Sequence, residues 1–518
     1  MRAAGEWWQH AQRAEAVGDR AGARACYEAI LAAVPGHVPA HLRMSRLEQL
    51  ADRYRAAHGH AVAAADAIAS GAYANLAGYA GARLLEFAEE PRLARLVTAL
   101  DPDDPEVVRQ SPVLSQQLWL CGEHEAALRF LAGVERHAPK HPLLEFTRAN
   151  VLRYLGRMDE AERHYEACLA NAPSLADAHL ALSSHRRAQP AHARIPRLQA
   201  ALEAATGDGD REQLLYALFR EHDAAGDTDA AWQALARGAT LARSRRHHDP
   251  RQERARAEAL MQLDCTPGRD GQVPAGPCPV FIVGMPRTGT TVLERILGNH
   301  PHVRCLGERN DLAAATSEVT GRFLAGRPAD ALLHDAGMDV AAVGRRYLAR
   351  LAPLAGNAGY MVDKNPLNLF SIPLILRALP GARILCLRRE PMDACFSSLK
   401  ELFHGDAYAY SYTQEELAAH CLLVRRWLGH WQAAAPRSVR VVDYERLVRT
   451  PATEAAAVAA FLGLEPQQAL DDITRNRQPV ATASSSQVRE GIHDRSVGAW
   501  RRYAEALAPL QRLLEAAA

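Results

Sequence analysis

Apolar residues along this chain follow two rhythms. Beyond about residue 277, short apolar runs alternate with stretches of helical spacing. Phe281-Ile282-Val283 carries no charge, as a strand buried on both faces would. Residues 360–364, 383–387 and 439–442 read as three further strands. Helical spacing fills 367–378, 393–402, 415–433 and 453–462. Strands alternating with helices predict a parallel sheet covered on both faces, with ligands at the carboxyl ends of its strands. The first half has no such runs. Its abundant alanine, with aromatics at only 6%, predicts a large helical part.

Within that half a pattern recurs. A glycine is followed by an alanine five residues on and a proline seventeen on: Gly18, Ala23, Pro35; Gly122, Ala127, Pro139; Gly156, Ala161, Pro173. A weaker copy has Gly226 and Ala231 without the proline. Gly122 and Gly156 lie 34 residues apart, and Gly18 precedes Gly122 by 104, close to three such periods. The glycine suits a tight turn, the alanine a close helix contact and the proline a helix end. This period and pattern resemble tetratricopeptide repeats. The resemblance implies a solenoid that presents a surface to a protein partner or an acceptor, or that only scaffolds.

Composition narrows the class. The chain has 518 residues, enough for two or more domains. A net charge of +1 argues against general nucleic-acid binding. Nine scattered cysteines without a CxxC pair read as reduced thiols in a cytoplasmic protein. Residues 61–82 are the most apolar candidate for a membrane span, but they contain Asp66 and are mostly alanine and glycine. The amino terminus carries Glu6 and no apolar core, unlike a signal peptide. No membrane association is expected. His58-Gly59-His60 and His247-His248 read as solvated histidines, so no metal is expected.

The chemistry centres on Gly284-Met285-Pro286-Arg287-Thr288-Gly289-Thr290-Thr291, between the first strand and a helix carrying Leu293, Ile296 and Leu297. Strand, glycine loop and helix make an anion cradle, because loop N–H groups and the helix N-terminus point at one phosphate. The loop departs from the nucleoside-triphosphatase pattern GxxxxGK[ST]: Thr290 stands where the lysine would be, and Arg287 lies inside the loop. PRTGTT resembles the 5′-phosphosulfate loop of sulfotransferases. Arg389-Glu390-Pro391-Met392-Asp393-Ala394-Cys395-Phe396-Ser397 resembles their 3′-phosphate motif, and Asp363-Lys364-Asn365-Pro366 the DK-x-P segment of the tetratricopeptide-linked and tyrosylprotein enzymes. His300-Pro301-His302-Val303-Arg304-Cys305 followed by Glu308 is similar to the tyrosylprotein segment bearing the catalytic glutamate.

The resemblance implies an all-α tetratricopeptide-like solenoid over residues 1–245, a linker over 246–276, and an α/β P-loop-type sulfotransferase domain with a parallel sheet over 277–518. It implies 3′-phosphoadenosine 5′-phosphosulfate as co-substrate. Arg287, Thr288, Gly289, Thr290 and Thr291 would hold its 5′ end, and Arg389 with Ser397 its 3′-phosphate, with Arg388 as a neighbour. Glu308 would be the base, with His404 the rival, and Lys364 would stabilise the leaving group beside Arg287. Ser484-Ser485-Ser486-Gln487-Val488 and Ser496-Val497-Gly498-Ala499-Trp500 resemble the tail that closes over the donor, making Ser484, Arg495 and Trp500 further contacts. Two other readings stay open: a P-loop kinase, and a repeat-based binding protein with an inactive transferase domain. The acceptor group would be a hydroxyl or amine, and a peptide tyrosine, a glycan and a small molecule all stay open as its carrier.

Overall fold

The computed structural model describes residues 2–138, 140–185, 192–264, 276–324, 326–465, 467–476 and 491–516. They group into two compact units, Met1–Leu155 with Asn310–Ala325, and Gly156–Arg309 with Gly326–Ala518. Among the described residues, no helix is long and apolar enough to cross a membrane.

The first unit is helical, running from Arg2–Ala16 to Pro142–Leu155. Leu84, Leu93, Leu114, Leu118, Leu131 and Val151 form part of one buried core. A segment from the second half of the sequence completes this unit. Helix Asp311–Thr320 stops at Gly321 in the left-handed conformation. Arg55 donates to the carbonyls of Glu318 and Val319 at that end, where a cation offsets unpaired helix carbonyls. Phe323 then packs its ring 5.0 Å from Tyr54 and 6.0 Å from Phe87.

The repeated glycines and alanines share one geometry across both units. Gly18, Gly122, Gly156 and Gly226 have φ of 77°, 78°, 83° and 84°. That left-handed backbone closes one helix and releases the next, and it suits a residue without a Cβ. Ala23, Ala127, Ala161 and Ala231 are fully buried. Pro35 and Pro173 lie just past helices Arg20–Ala33 and Met158–Asn171. Pro139 lies outside the described residues.

The second unit contains a five-stranded sheet: β1 (Cys278–Gly284), β2 (Val303–Cys305), β3 (Tyr360–Lys364), β4 (Arg383–Arg388) and β5 (Val439–Asp443). Its order is β2-β3-β1-β4-β5, and every pair is parallel. β1 is central, and its residues 279–284 are all buried, as its uninterrupted apolar run requires. The pairs Ile282↔Lys364 and Gly284↔Leu387 bring the carboxyl ends of β1, β3 and β4 to one edge. Helices Met158–Asn171 to Pro250–Met261 belong to the same unit.

The stretch read as a linker is therefore partly ordered as helix Pro250–Met261; residues 265–275 lie outside the described residues. This helix packs through charge. Glu253 accepts from His420 Nδ1 at 3.0 Å and from His248 Nε2 at 3.3 Å. Burial alone would raise the Glu253 carboxyl, but the His420 charge and both imidazole bonds overcome it and hold the carboxyl well below its usual 4.5. His248 moves up from 6.5: burial lowers it, and the bond and charge of Glu253 outweigh that. A depressed carboxyl loses its stabilising contribution as pH falls below 4.5, and a raised imidazole loses its own as pH rises above 6.5. Glu253→Gln should cost about 1.5–3 kcal/mol. Thermal unfolding across pH should show the largest gap from the natural protein between those two values.

Candidate active site

The cradle loop is held in a conformation few side chains adopt. Arg287 has φ 66° and Gly289 φ 99°. A non-glycine residue at positive φ stores strain that its surroundings must hold, and such positions concentrate at functional sites. At Gly289 the constraint is also steric, since a Cβ there would lie 2.4 Å from Tyr444 Cδ2. Thr290 and Thr291 open helix Thr290–Leu297, directly after Gly289. The Thr288 hydroxyl donates to the Met285 carbonyl at 2.7 Å, so this side chain shapes the loop.

Strand β4 ends on two arginines with different surroundings. Arg388 is half-exposed and paired with Asp443 at 2.7 Å. Arg389 is buried, and its Nη1 and Nη2 donate to the carbonyls of Arg287 at 3.0 Å and Ser496 at 2.6 Å. Its guanidinium lies 4.5 Å from the centre of the Tyr444 ring, and its buried Nε has no partner among the described residues. A buried cation bonded to neutral carbonyls suits an incoming anion. Ser397 is buried on helix Pro391–Leu399, which begins directly after this corner.

Lys400 closes the helix from which Ser397 comes. Its ammonium lies 5.1 Å from the centre of the Phe396 ring. Burial, then the nearby charges of Arg287 and Arg389, push it down to about 8, against the pull of Asp223 and Glu401. The Arg287 guanidinium is itself pushed down by burial, and by Arg220 and Arg389 against Glu401. Arg389 and Arg287 thus crowd Lys400, and Arg389 crowds Arg287, with positive charge. Phosphate chemistry at this corner fits that electrostatic need.

Strand β3 ends on Lys364, whose side chain is fully buried. Its Nζ lies 2.5 Å from Glu308 Oε1 and 3.9 Å from Glu294 Oε2. Backbone bonds bring Glu308 there: Leu306 N donates to Val362 O at 2.9 Å and Lys364 N to Gly307 O at 3.0 Å. The loop after β2 thereby continues the ladder beside β3. Asn365 Nδ2 donates to Arg309 O at 2.8 Å and pins its far side. Glu308 keeps 44% of its side chain exposed, so a carboxylate fixed from within still faces solvent. Burial raises the Glu294 carboxyl, with the Lys364 charge opposing.

The remaining sequence candidates are dispersed. Ser484 lies outside the described residues, and Arg495 is exposed. The segment around Trp500 is fastened beside Arg389: Asp393 accepts from Gly498 N at 2.6 Å, and Tyr444 Oη meets Ser496 Oγ at 2.6 Å. His404 is exposed and acts on Asp177, whose carboxyl burial raises while His404 and Gln213 pull it down. Tyr444, Lys400 and Tyr408 were missed by sequence reasoning. Tyr408 packs 4.5 Å from Phe403 between ring centres, and its hydroxyl is raised by burial and by the Glu308 charge. Tyr444 directly follows a strand, the one signal that could have found it.

Gly289→Ala should combine backbone strain with a clash against Tyr444. A loss of about 1–3 kcal/mol is expected. Thermal unfolding should show it, and the companion Tyr444→Ala should recover part of the loss by removing the obstructing ring.

Residues 279–468 match the family model described as the sulfotransferase family. An Aquifex aeolicus protein described as uncharacterized is 26% identical over 382 residues, covering 71% of this chain and 49% of its own length. Protein-tyrosine sulfotransferase 2 of Gallus gallus is 27% identical over 199 residues, covering 36% of this chain and 51% of its own. The chain spans about half the length of these two relatives. Among solved structures, the sulfotransferase domain from the Synechococcus PCC 7002 olefin synthase aligns at 19% identity and a TM-score of 0.33, over 48% of this chain and 98% of that domain. The segment from the first strand through helix Pro451–Leu462, carrying the cradle, Glu308, Lys364 and Arg389, is a sulfotransferase-family domain.

Proposed function

We propose that this protein transfers the sulfuryl group of 3′-phosphoadenosine 5′-phosphosulfate to an acceptor hydroxyl. The observation that carries the reading is the Glu308–Lys364 pair at the carboxyl edge of the sheet that also holds the cradle and Arg389. Loop N–H groups with Arg287, Thr290 and Thr291 hold the 5′-phosphosulfate, and Arg389, Ser397 and Lys400 hold the 3′-phosphate. The acceptor oxygen attacks sulfur, and the bond from sulfur to the bridging phosphate oxygen breaks. Glu308 takes the acceptor proton. Neutralising Glu308 dissolves its pair with Lys364. The ammonium is then released to the bridging oxygen as that oxygen becomes negative, and 3′-phosphoadenosine 5′-phosphate departs.

A tyrosyl phenol is the first acceptor to test, because the Gallus gallus relative is named for that chemistry. The helical repeats are read as tetratricopeptide repeats. Four left-handed glycines, each followed five residues on by a fully buried alanine, support this.

Two measurements test the reading. 3′-Phosphoadenosine 5′-phosphate should bind more tightly than AMP, and Arg389→Ala should remove a preference of about tenfold or more. Equal calorimetric affinities of the natural protein for both nucleotides would sink the donor assignment. Glu308→Gln should slow single-turnover transfer to a tyrosyl peptide by about 10²–10⁴ while nucleotide affinity changes by no more than a few-fold. Unchanged turnover would remove Glu308 as the base and pass the role to His404.

A further inference from the structure

The charge cluster at the 3′ corner includes carboxylates, and one repeat helix deals with them. Glu401 follows Lys400 directly and acts on both Arg287 and Lys400. Asp223 acts on Lys400 as well. Left free, either carboxylate would neutralise the cations that an anionic donor needs. Both are engaged elsewhere. Arg220 Nη2 donates to Glu401 Oε1 at 3.0 Å, and both side chains are largely buried. Asp223 accepts from Tyr503 Oη at 2.6 Å and pairs with Arg502 at 3.0 Å.

Arg220 and Asp223 lie on helix Asp208–Ala225. The same helix grips the backbone beside Glu401, where Tyr216 Oη donates to Leu399 O at 3.1 Å. Arg246, held by Glu212 at 2.9 Å, donates to Phe403 O at 3.2 Å. Residues 399–403, which follow Ser397 in the chain, are thus fastened at several points. Arg220 is anchored in turn on its own side, donating to Leu180 O at 3.3 Å and to Ser184 Oγ.

We propose that Arg220 is a positioning residue of the donor site: it holds Glu401 away from Arg287 and Lys400, so the cations stay available to the donor's anionic groups. The proposal rests on the donor reading only for the identity of the anion. Besides its direct charge on Arg287, Arg220 acts through Glu401 and not on the nucleotide. Its loss should therefore be repaired by removing the charge it restrains, which a merely structural bond would not allow.

The test uses the full chain in four forms: natural, Arg220→Ala, Glu401→Gln and the double variant. The ligand-free readout is the pH at which Lys400 is half acetylated by acetic anhydride, followed by mass spectrometry. The natural midpoint should lie at about 8, set by burial and then by Arg287, Asp223, Arg389 and Glu401 around the ammonium. Arg220→Ala frees a carboxylate beside Lys400, which favours the charged amine, so the midpoint should rise. Glu401→Gln in that background should bring it back. The second readout is calorimetric titration with 3′-phosphoadenosine 5′-phosphate. Arg220→Ala should weaken binding about tenfold, and the double variant should recover most of that loss. An unchanged Lys400 midpoint in Arg220→Ala, or a double variant as far from natural as the single, overturns the proposal. If Lys400 responds as expected while the natural protein does not bind the nucleotide, the donor reading falls and the role of Arg220 stands. Should Arg220→Ala not fold, Arg220→Gln removes the charge, retains a donor for Leu180 and Ser184, and carries the same outcomes.

Discussion

A fully buried ammonium is the constraint around which the reacting edge is built. Lys364 has no exposed surface, and an unpaired charge in such a place is costly. Glu294 approaches it from the cradle helix, and Glu308 from the loop after β2. That loop cannot wander, because its backbone continues the parallel ladder and Asn365 holds the carbonyl of Arg309. The charge that needs compensation therefore dictates where the exposed carboxylate stands. In the proposed reaction the same pair changes state once, when the carboxylate takes a proton and the ammonium loses its partner.

The opposite electrostatic condition holds around the carboxyl end of β4. There the protein gathers Arg287, Arg389 and Lys400 and engages the nearby carboxylates with other donors. Helix Asp208–Ala225 does much of this, although it belongs to the stretch that reads as repeat. Residues 156–264 and the sheet form one compact unit through such contacts, with Tyr216 and Arg220 reaching the segment after Ser397. Buried ionic contacts of this kind contribute little net stability by themselves. Their effect is to fix where charge resides, and an anion site depends on that.

Much of this was legible in the sequence for definite physical reasons. Strands β1 and β4 could be read because uninterrupted apolar runs suit burial on both faces, and β3 and β5 from shorter runs ended by Asp363-Lys364 or broken by Arg440. β2 was missed: three residues, with Arg304 exposed, leave no periodicity to detect. The repeated glycines could be placed because a left-handed helix end strongly favours that residue. Motif order points to Arg287, Glu308, Lys364 and Arg389, and each stands at a strand's carboxyl end or in the loop that follows it. Thr288 was named with them, but its hydroxyl is spent on the loop itself.

By itself the sequence determined the local geometry: which runs become strands, where helices stop, and which loop joins the first strand to its helix. Those properties depend on residues a few positions apart, so they survive reading along a line. Tertiary structure alone decided partnership. Nothing in the spacing says that Arg388 meets Asp443 while Arg389 bonds two carbonyls, or that Tyr444 presses on Gly289. Nor does it say that residues 310–325 join the first unit, or that Arg220 takes Glu401 from 181 positions away. Coulombic and steric forces act through space over a few ångströms. Which charge is neutralised and which is left for a ligand is settled when distant segments meet.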